Sequence, residues 1–231
     1  LDACDQADQK YMTVSNTFQM ACDTDEESIF NIALGAGGEN GSAITDQHRI
    51  CIDNIVLEKT SAPEIDVPVG KNLITNSEFE MSEDGSLAGW ENAVTAPGDA
   101  TFEAGDGKIT YSVENVGEAD WNIQLKQMGL SLEQGESYTL KCTLVSDVDR
   151  VVKVAVMTPS AGYAWHGGED VVLTAGEAKD VTLTITPKEE VFTDGITVDT
   201  GAGLFFSMGY VEGYTLGAHT VSISNVSFVK N

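Results

Sequence analysis

Short alternating strands, separated by turn residues at regular spacing, constrain this sequence more than any other feature. Lys108–Val113 and Ser137–Leu144 alternate apolar with polar residues, and Gly105–Gly107 and Gln134–Glu136 are typical turns that precede them. The alternation indicates half-buried strands, and no long helical period competes with it. The sequence therefore predicts an all-β fold, namely a β-sandwich of the jelly-roll type.

One strand pattern occurs twice, at residues 48–59 and at residues 219–230. His, Asn and Lys recur at the same offsets in both copies, and so do four apolar positions. The spacing of apolar residues changes around Asn54 and Asn225, which predicts a β-bulge there. Since only the second copy has room for a whole module before it, the repeat predicts the ends of two similar modules.

The repeat divides the chain into three predicted segments. Residues 1–60 hold three predicted strands, too few to bury a core alone, so we interpret them as the C-terminal part of an upstream β-sandwich. The missing N-terminal half of that sandwich is expected to be another polypeptide. The alternative is that residues 1–60 dock against the second module. Residues 61–70 contain two prolines and predict a linker. Residues 71–231 predict a complete sandwich whose first strand spans residues 72–79, and the start at Leu1, in mid-pattern, is interpreted as that of a mature or clipped fragment.

The chain is strongly acidic, with 12 Lys+Arg against 37 Asp+Glu and a formal net charge of -25. This balance argues against nucleic acid and against anionic membrane surfaces as partners, because both attract a positive field. No apolar run is long enough for a membrane span, and no signal peptide opens the sequence. A neutral polymer or a cation such as Ca²⁺ is compatible with this negative charge. The alternative is that the acidity only keeps the protein soluble and indicates no partner.

The four cysteines, Cys4, Cys22, Cys51 and Cys142, match no metal-binding spacing. Cys51 and Cys142 lie in apolar alternating runs, which predicts buried free thiols. A bridge between Cys22 and Cys51 remains open at this stage, because it requires neighbouring strands.

Catalytic signatures are missing from the sequence. His48 and His219 occupy equivalent positions of the repeat, so we interpret them as structural. There is no nucleophile elbow, zinc box or phosphate loop. Nothing marks one pair among the 37 acidic residues as a glycosidase pair. The chain is therefore predicted to be non-catalytic.

A candidate binding face alternates with core positions on the predicted strands. If Ile123 and Leu125 face the core, Asn122, Gln124 and Lys126 share the opposite face. The same alternation turns three further side chains outward: Lys153, Phe205 and Ser207. Amide and charged groups can pair with sugar hydroxyls, and aromatic rings stack on sugar rings. An ordinary polar outer face is the alternative interpretation.

Four aromatic residues lie in two glycine-rich stretches that are predicted to be loops. Tyr163 and Trp165 belong to the first, and Tyr210 and Tyr214 to the second. Exposed aromatic side chains on loops indicate contact with a ligand. Capping of an end of the sandwich core is the alternative, and Trp90 is assigned to the core.

Motifs along the chain resemble those of the family 4/9/22 group of carbohydrate-binding modules. They are Asn-Leu-Ile-Thr-Asn-Ser-Glu-Phe-Glu (72–80), Ala-Gly-Trp (88–90), Trp-Asn-Ile-Gln-Leu (121–125), the Leu…Gly…Tyr spacing of residues 132–138, and Ile-Asp-Asn-Ile-Val-Leu (52–57). The resemblance covers residues 71–231, with residues 8–59 as the tail of a second copy.

The resemblance implies a jelly roll whose concave sheet grips one glycan chain. It also implies a secreted, modular parent enzyme, usually a glycoside hydrolase, acting on β-glucan, amorphous cellulose or xylan. By matching strands, it implies a groove formed by Asn122, Gln124, Arg150 and Phe205, with Tyr163 and Trp165 at the rim.

The resemblance further implies a structural Ca²⁺ between the opening strand and an Asp of the last strand. Glu78 and Glu80 are retained in the opening segment, but Ser224 replaces that Asp in the complete module. Ca²⁺ prefers several oxygen ligands, carboxylates above all. We therefore expect a cation near Asp53, in the partial copy, rather than in residues 71–231.

Three functions are weighed on these grounds. The leading one is non-catalytic binding of a β-glucan-type polysaccharide, which targets a linked hydrolase to its substrate outside the cell or at its surface. The second is a structural spacer that has lost binding, and the third is an intrinsic hydrolase activity.

Overall fold

The computed structural model describes residues 66–83, 85–193 and 195–231, together with Ile32, Ile52, Ile55 and Val56. The chain divides into two compact units, Leu1–Glu64 and Ile65–Asn231. In the first unit the described residues Ile52 and Ile55 are exposed. The upstream module otherwise lies outside the described residues, as do Cys4, Cys22 and Cys51.

The second unit consists of strands in which β-branched and aromatic residues alternate with polar ones. They are β1 (Glu91–Val94), β2 (Asp99–Gly105), β3 (Lys108–Asn115), β4 (Ile123–Glu133), β5 (Tyr138–Ser146), β6 (Arg150–Thr158), β7 (Ala164–Leu173), β8 (Ala178–Ile185), β9 (Val198–Ser207) and β10 (His219–Lys230). Strand β7 begins at Ala164, within the glycine-rich stretch that was predicted to be a loop.

Two antiparallel five-stranded sheets pack face to face, with strand orders β1-β4-β9-β6-β7 and β2-β3-β10-β5-β8. Alternate side chains of both sheets enclose one apolar core. Leu125 and Phe206 from the first sheet and Leu140 and Ile223 from the second are fully buried in it. The predicted all-β jelly-roll sandwich is confirmed.

Strand β10 contains the bulge that its apolar spacing predicts. The register with β5 shifts between Ser224 and Ser227. Asn225 lies at that shift with a φ of 53°, a left-handed conformation that asparagine tolerates better than most residues. The bulge keeps Ile223 and Phe228 on the core side of the strand, because it inserts one residue into the alternation.

The segment before β1 differs from its prediction. Residues 72–79 form turns rather than a strand, and the Asn72 side chain accepts hydrogen bonds from the backbone of Ile74 and Phe228. Phe79 is fully buried, and its ring centroid lies 5.1 Å from that of Trp90, which confirms Trp90 as a core residue. The predicted linker also ends earlier than expected, since Val67 is buried in the sandwich.

Cys142 on β5 is a buried free thiol, as predicted. Burial raises its pKa to about 12, so the thiol stays protonated in the folded protein. Within the described ranges, no helix has the length and apolar character needed to cross a membrane.

Candidate binding groove

The outer face of sheet β1-β4-β9-β6-β7 carries the candidate site, and strand register decides which side chains share it. Paired residues of neighbouring antiparallel strands point to the same face. The rows across β4, β9, β6 and β7 are Gln124–Ser207–Lys153, then Lys126–Phe205–Ala155, then Met157 with Trp165.

A groove of about 480 Å³ opens on this face. It combines aromatic rings with an ion pair, an amide and a hydroxyl, and its lining residues are Asp120, Trp121, Gln124, Lys153, Met157, Tyr163, Trp165, Phe205 and Ser207. The structure thus brings together four residues that the sequence assigned to a groove: Gln124, Tyr163, Trp165 and Phe205. Their role in binding stays a prediction.

The indole of Trp165 lies close against the sheet. Trp165 belongs to β7, not to the predicted loop, and 40% of its surface is exposed. A Cβ atom at Gly168 would stand 2.6 Å from the indole Cζ2 atom and 2.5 Å from the backbone oxygen of Val154. Only glycine leaves room for the ring at this point, so Gly168 sets the position of the indole.

Two further rings stand at the rim of the groove. Tyr163 is 63% exposed and has a φ of 62°, in the left-handed region that non-glycine residues rarely adopt. The backbone N–H of Tyr163 donates to Pro159 O at 3.3 Å, which holds this turn closed. Trp121 is exposed in the short 3-10 turn Asp120–Asn122 that leads into β4.

The groove floor is apolar. Phe205 is only 3% exposed, so it contributes a small patch of surface between the rows. Met157 was missed by sequence reasoning, although its alternation with Ala155 and Lys153 on β6 places it on the same face. A longer reading of that alternation would have found it.

Polar groups occupy the end of the groove opposite Trp165. Gln124 Nε2 donates to Ser207 Oγ at 2.9 Å, which fixes the amide across two strands. Lys153 Nζ donates to the Asp120 carboxylate, and this bond raises the pKa of Lys153. The groove therefore offers an amide, a hydroxyl and an ion pair, all of which can hydrogen-bond hydroxyl groups.

Asn122 requires a correction, because it does not face the groove. The residue belongs to the turn before β4 and is 2% exposed. Its Oδ1 accepts from the backbone N–H groups of Glu118 and Ala119, and its Nδ2 donates to Thr95 O. The side chain is thus occupied in shaping the turn that carries Trp121.

Arg150 requires the same correction, because it is fully buried rather than part of the groove surface. Its guanidinium donates to the backbone oxygens of Val151, Met208 and Gly209 and to His219 Nε2. Burial without a carboxylate partner lowers the pKa of Arg150 to about 10. Because arginine only donates, His219 accepts through Nε2 and donates its Nδ1 proton to Gly217 O at 2.7 Å.

Arg150 and Asn122 stabilise two backbone segments that are hydrogen-bonded to each other. The backbone N–H of Gly209 donates to Asp120 O at 2.9 Å, and that of Tyr210 to Ala119 O at 3.1 Å. The segment held by Arg150 is thereby joined to the turn shaped by Asn122. Both residues position the Asp120 end of the groove without lining it.

A buried polar chain supports the Trp165 end. Lys188 N–H donates to His166 Nδ1 at 3.0 Å, His166 Nε2 lies 2.8 Å from Thr158 Oγ1, and that hydroxyl donates to Asp199. His166 Nδ1 accepts a hydrogen bond, so it carries no proton. The Thr158 hydroxyl donates its proton to Asp199 and therefore accepts from His166 Nε2, so His166 is neutral with its proton on Nε2. Burial is the main cause that lowers the pKa of His166, against the opposing charge of Asp199.

Stability is expected to fall as the pH drops from about 7 to 5, because the folded state resists protonation of His166 whereas the unfolded chain binds a proton near pH 6.5. A proton on Nδ1 would face the Lys188 N–H, so two donors would meet. His219 has a pKa lowered by burial and contributes in the same direction. Urea unfolding across this pH range measures the loss. The His166→Asn variant should show a shallower pH dependence than the parent, and identical slopes would contradict this assignment.

Among the described residues, the structure does not bring the predicted Ca²⁺ ligands together. Asp53 lies outside them, and within the described ranges no group of three or more His, Cys, Asp or Glu side chains gathers. The Glu78 carboxylate lies beside Gly107, where a Cβ would stand 3.1 Å from its Oε2. Lys108, the residue after Gly107, pairs with Ser224 on β10, and Ser224 has no carboxylate to add to that of Glu78. A Ca²⁺ site around Asp53 stays a prediction.

A jelly-roll sandwich with exposed rings and hydrogen-bonding groups along one sheet face has the architecture of a glycan-binding module. Residues 71–200 match the family model CBM_4_9, whose members are described as a carbohydrate binding domain. This match spans more than half of the chain, so the chain belongs to this family. Modules of this family are in general non-catalytic and bind polysaccharide.

Solved structures are also similar to this chain. A family 4 carbohydrate-binding module is similar at 19% identity, covering 68% of this chain and 99% of that chain with a TM-score of 0.54. The N-terminal cellulose-binding domain of Cellulomonas fimi β-1,4-glucanase C is similar at 20% identity, covering 70% and 98%, with a TM-score of 0.49. An arabinose-bound α-L-arabinofuranosidase is similar at 12% identity, covering 70% and 27%, with a TM-score of 0.50. No protein with a curated description matches the chain.

Proposed function

We propose that the groove binds a β-glucan chain and that the module thereby keeps a linked glycoside hydrolase, outside the cell, close to its polysaccharide substrate. One observation carries the proposal: three exposed rings and the Gln124 amide line the same open groove. The rings belong to Trp121, Tyr163 and Trp165. Rings stack on the apolar faces of sugar rings, while amides bind their hydroxyls.

The electrostatics of the chain favour a neutral polymer. A net charge of -25 repels polysaccharides that carry carboxylates. Both ammonium groups on the groove face are already paired, Lys126 with Glu91 at 2.9 Å and Lys153 with Asp120. Little positive charge remains for an acidic ligand.

Affinity electrophoresis tests the proposal. The chain should migrate more slowly in native gels that contain laminarin, barley glucan or hydroxyethylcellulose than in gels without polymer, and a xylan gel reports on the alternative backbone. Unchanged migration in every gel would support the spacer function instead. Release of reducing sugar by the purified chain would support an intrinsic hydrolase activity.

Replacing Gln124 by alanine should weaken binding of the retained glucan about 3- to 10-fold, the equivalent of one hydrogen bond at roughly 0.5–1.5 kcal/mol. Calorimetric titration measures the change. Gln134→Ala is the matched control, because that exposed glutamine bonds Glu189 and does not line the groove. Equal affinity of Gln124→Ala and the parent would show that the Gln124 amide does not bind the glucan.

A further inference from the structure

The hairpin between β6 and β7 carries two of the rings of the groove. Tyr163 lies in its turn, and Trp165 is the second residue of β7. His166 follows directly, and because side chains alternate along a strand, its imidazole points to the core side of the sheet, where the residue is only 4% exposed. A buried histidine therefore lies on the strand that presents an exposed ring to the groove.

His166 joins both strands of this hairpin to parts of the sandwich outside it. Its Nε2 donates to Thr158 Oγ1 at the end of β6, and the Thr158 hydroxyl donates to Asp199 on β9. Its Nδ1 accepts from the Lys188 N–H, which belongs to the connection between β8 and β9. These bonds fix the position of the hairpin, and with it that of both rings.

Only the neutral imidazole can make this set of bonds. A second proton would lie on Nδ1 and face the Lys188 N–H, so two donors would meet and the bond would be lost. Burial, the largest cause, and the charge of Lys188 lower the pKa of His166. The carboxylates of Asp199 on β9 and Glu190 after β8 raise it, and Thr158 on β6 carries no charge. His166 is therefore neutral at pH 7 and takes up its proton on acidification.

The groove itself offers no other group of this kind. Histidine is the side chain whose ordinary pKa allows a change of charge between about pH 5 and 8, and among the described residues no histidine lines the groove. A neutral glycan does not titrate in this range either. A change of affinity there would therefore report on a group behind the groove surface.

We propose that His166 is a positioning residue for glycan binding, whose neutral form holds Tyr163 and Trp165 in place and whose protonation releases them. The inference rests on the proposed function of the groove. Because the glycan then selects the neutral form, glycan and proton each weaken the binding of the other by the same factor. Affinity should be constant between about pH 8 and 7 and fall below about pH 6, by at most about tenfold per pH unit, the limit for one proton.

Calorimetric titration of the whole chain with the glucan retained in native gels, at about pH 7 and pH 5.5, tests the coupling. At the lower pH, two buffers with different enthalpies of ionisation count the protons released on binding. The parent should release a fraction of one proton. His166→Asn should release none and have equal affinity at both pH values, because an amide oxygen can accept from Lys188 but does not titrate. Equal proton release by His166→Asn and the parent would contradict the proposal.

Two neighbouring glutamates give a matched pair of variants that leave the imidazole intact. Both are exposed in the 3-10 turn Glu189–Val191. Since the charge of Glu190 raises the pKa of His166, Glu190→Gln should keep the affinity measured at pH 7 and move the fall in affinity to lower pH. Glu189→Gln is the control, because Glu189 bonds Gln134 and is not among the charges that act on His166. Equal pH profiles of the two variants would overturn the assignment to His166.

The two proposals fail in different ways. A parent that binds glucan equally well at pH 7 and pH 5.5, with no proton released, overturns the role of His166 and leaves the groove as the binding site. A parent that binds no polysaccharide at pH 7 overturns the proposed function, and the coupling with it. Loss of affinity that coincides with unfolding, measured as a thermal midpoint at or below the titration temperature, would also overturn the coupling.

Discussion

Replacing Arg150 by alanine is expected to lower the free energy of unfolding by about 3–5 kcal/mol. The change removes the Arg150 donor from the backbone oxygens of Val151, Met208 and Gly209 and from His219 Nε2 in a buried place, and each acceptor left unpaired costs about 1–3 kcal/mol. Relief from burying a charge offsets part of this loss, since burial lowers the pKa of Arg150. The loss of the donor to these four acceptors and the cavity that is left outweigh that relief. Equilibrium urea unfolding measures the difference.

Two companion variants separate charge from hydrogen-bonding geometry. Arg150→Lys keeps the charge but lacks the planar fork that reaches several acceptors at once, so an intermediate loss is expected. Arg150→Met removes the charge and fills part of the space, so it reports the cost of the unpaired acceptors with the smallest cavity. Unfolding of all three variants at the midpoint of the parent would show that solvent replaces the guanidinium and that this side chain does not brace the fold.

Replacing Trp165 by alanine is expected to reduce affinity for the retained glucan roughly 30-fold, or about 2 kcal/mol, which is a usual cost of truncating an aromatic anchor. The indole lies over Gly168 on the same strand, where only glycine leaves room for it. Its removal deletes the stacking surface at one end of the groove. Titration with the polymer retained in gels, or with its hexasaccharide, measures the loss.

Controls distinguish a lost contact from a disturbed fold. Trp165→Phe keeps an aromatic face and should recover most of the affinity. The thermal midpoint of Trp165→Ala should stay within a few degrees of that of the parent, because much of the indole is exposed. Undiminished binding by Trp165→Ala would place the glycan elsewhere on the sandwich.

The β-sandwich and much of the groove face followed from alternation alone. Gln124 and Phe205 were placed on one outer face because their neighbours are apolar, and the register between β4 and β9 keeps both there. The bulge at Asn225 was equally visible, since a shift in apolar spacing requires an extra residue in the strand. Such local patterns are predictable because each strand must bury one of its two faces.

Asn122 and Arg150 show where that logic ends. Both have side chains that suit sugar hydroxyls, but Asn122 lies in a turn outside the alternation, whereas Arg150 lies on the core side of β6 with Val152 and Val154, where alternation places it against the expectation from its residue type. Their partners are backbone groups as much as 59 residues away in the sequence and, for Arg150, also the His219 side chain, 69 residues away. No pattern within one strand contains that information. The same holds for the chain from Lys188 through His166 and Thr158 to Asp199, which joins three separate parts of the sandwich.

The sequence by itself determined the all-β sandwich, the outward row of groove residues and the bulge of the last strand, because each depends on which residues along one strand are apolar. Only the tertiary structure decided that Trp165 rests over Gly168, which distant acceptors surround the buried Arg150, and that Asp120 pairs with Lys153 in the groove. Those features depend on strand register across the sheet and on the path of the connecting turns, which bring residues together from distant parts of the chain.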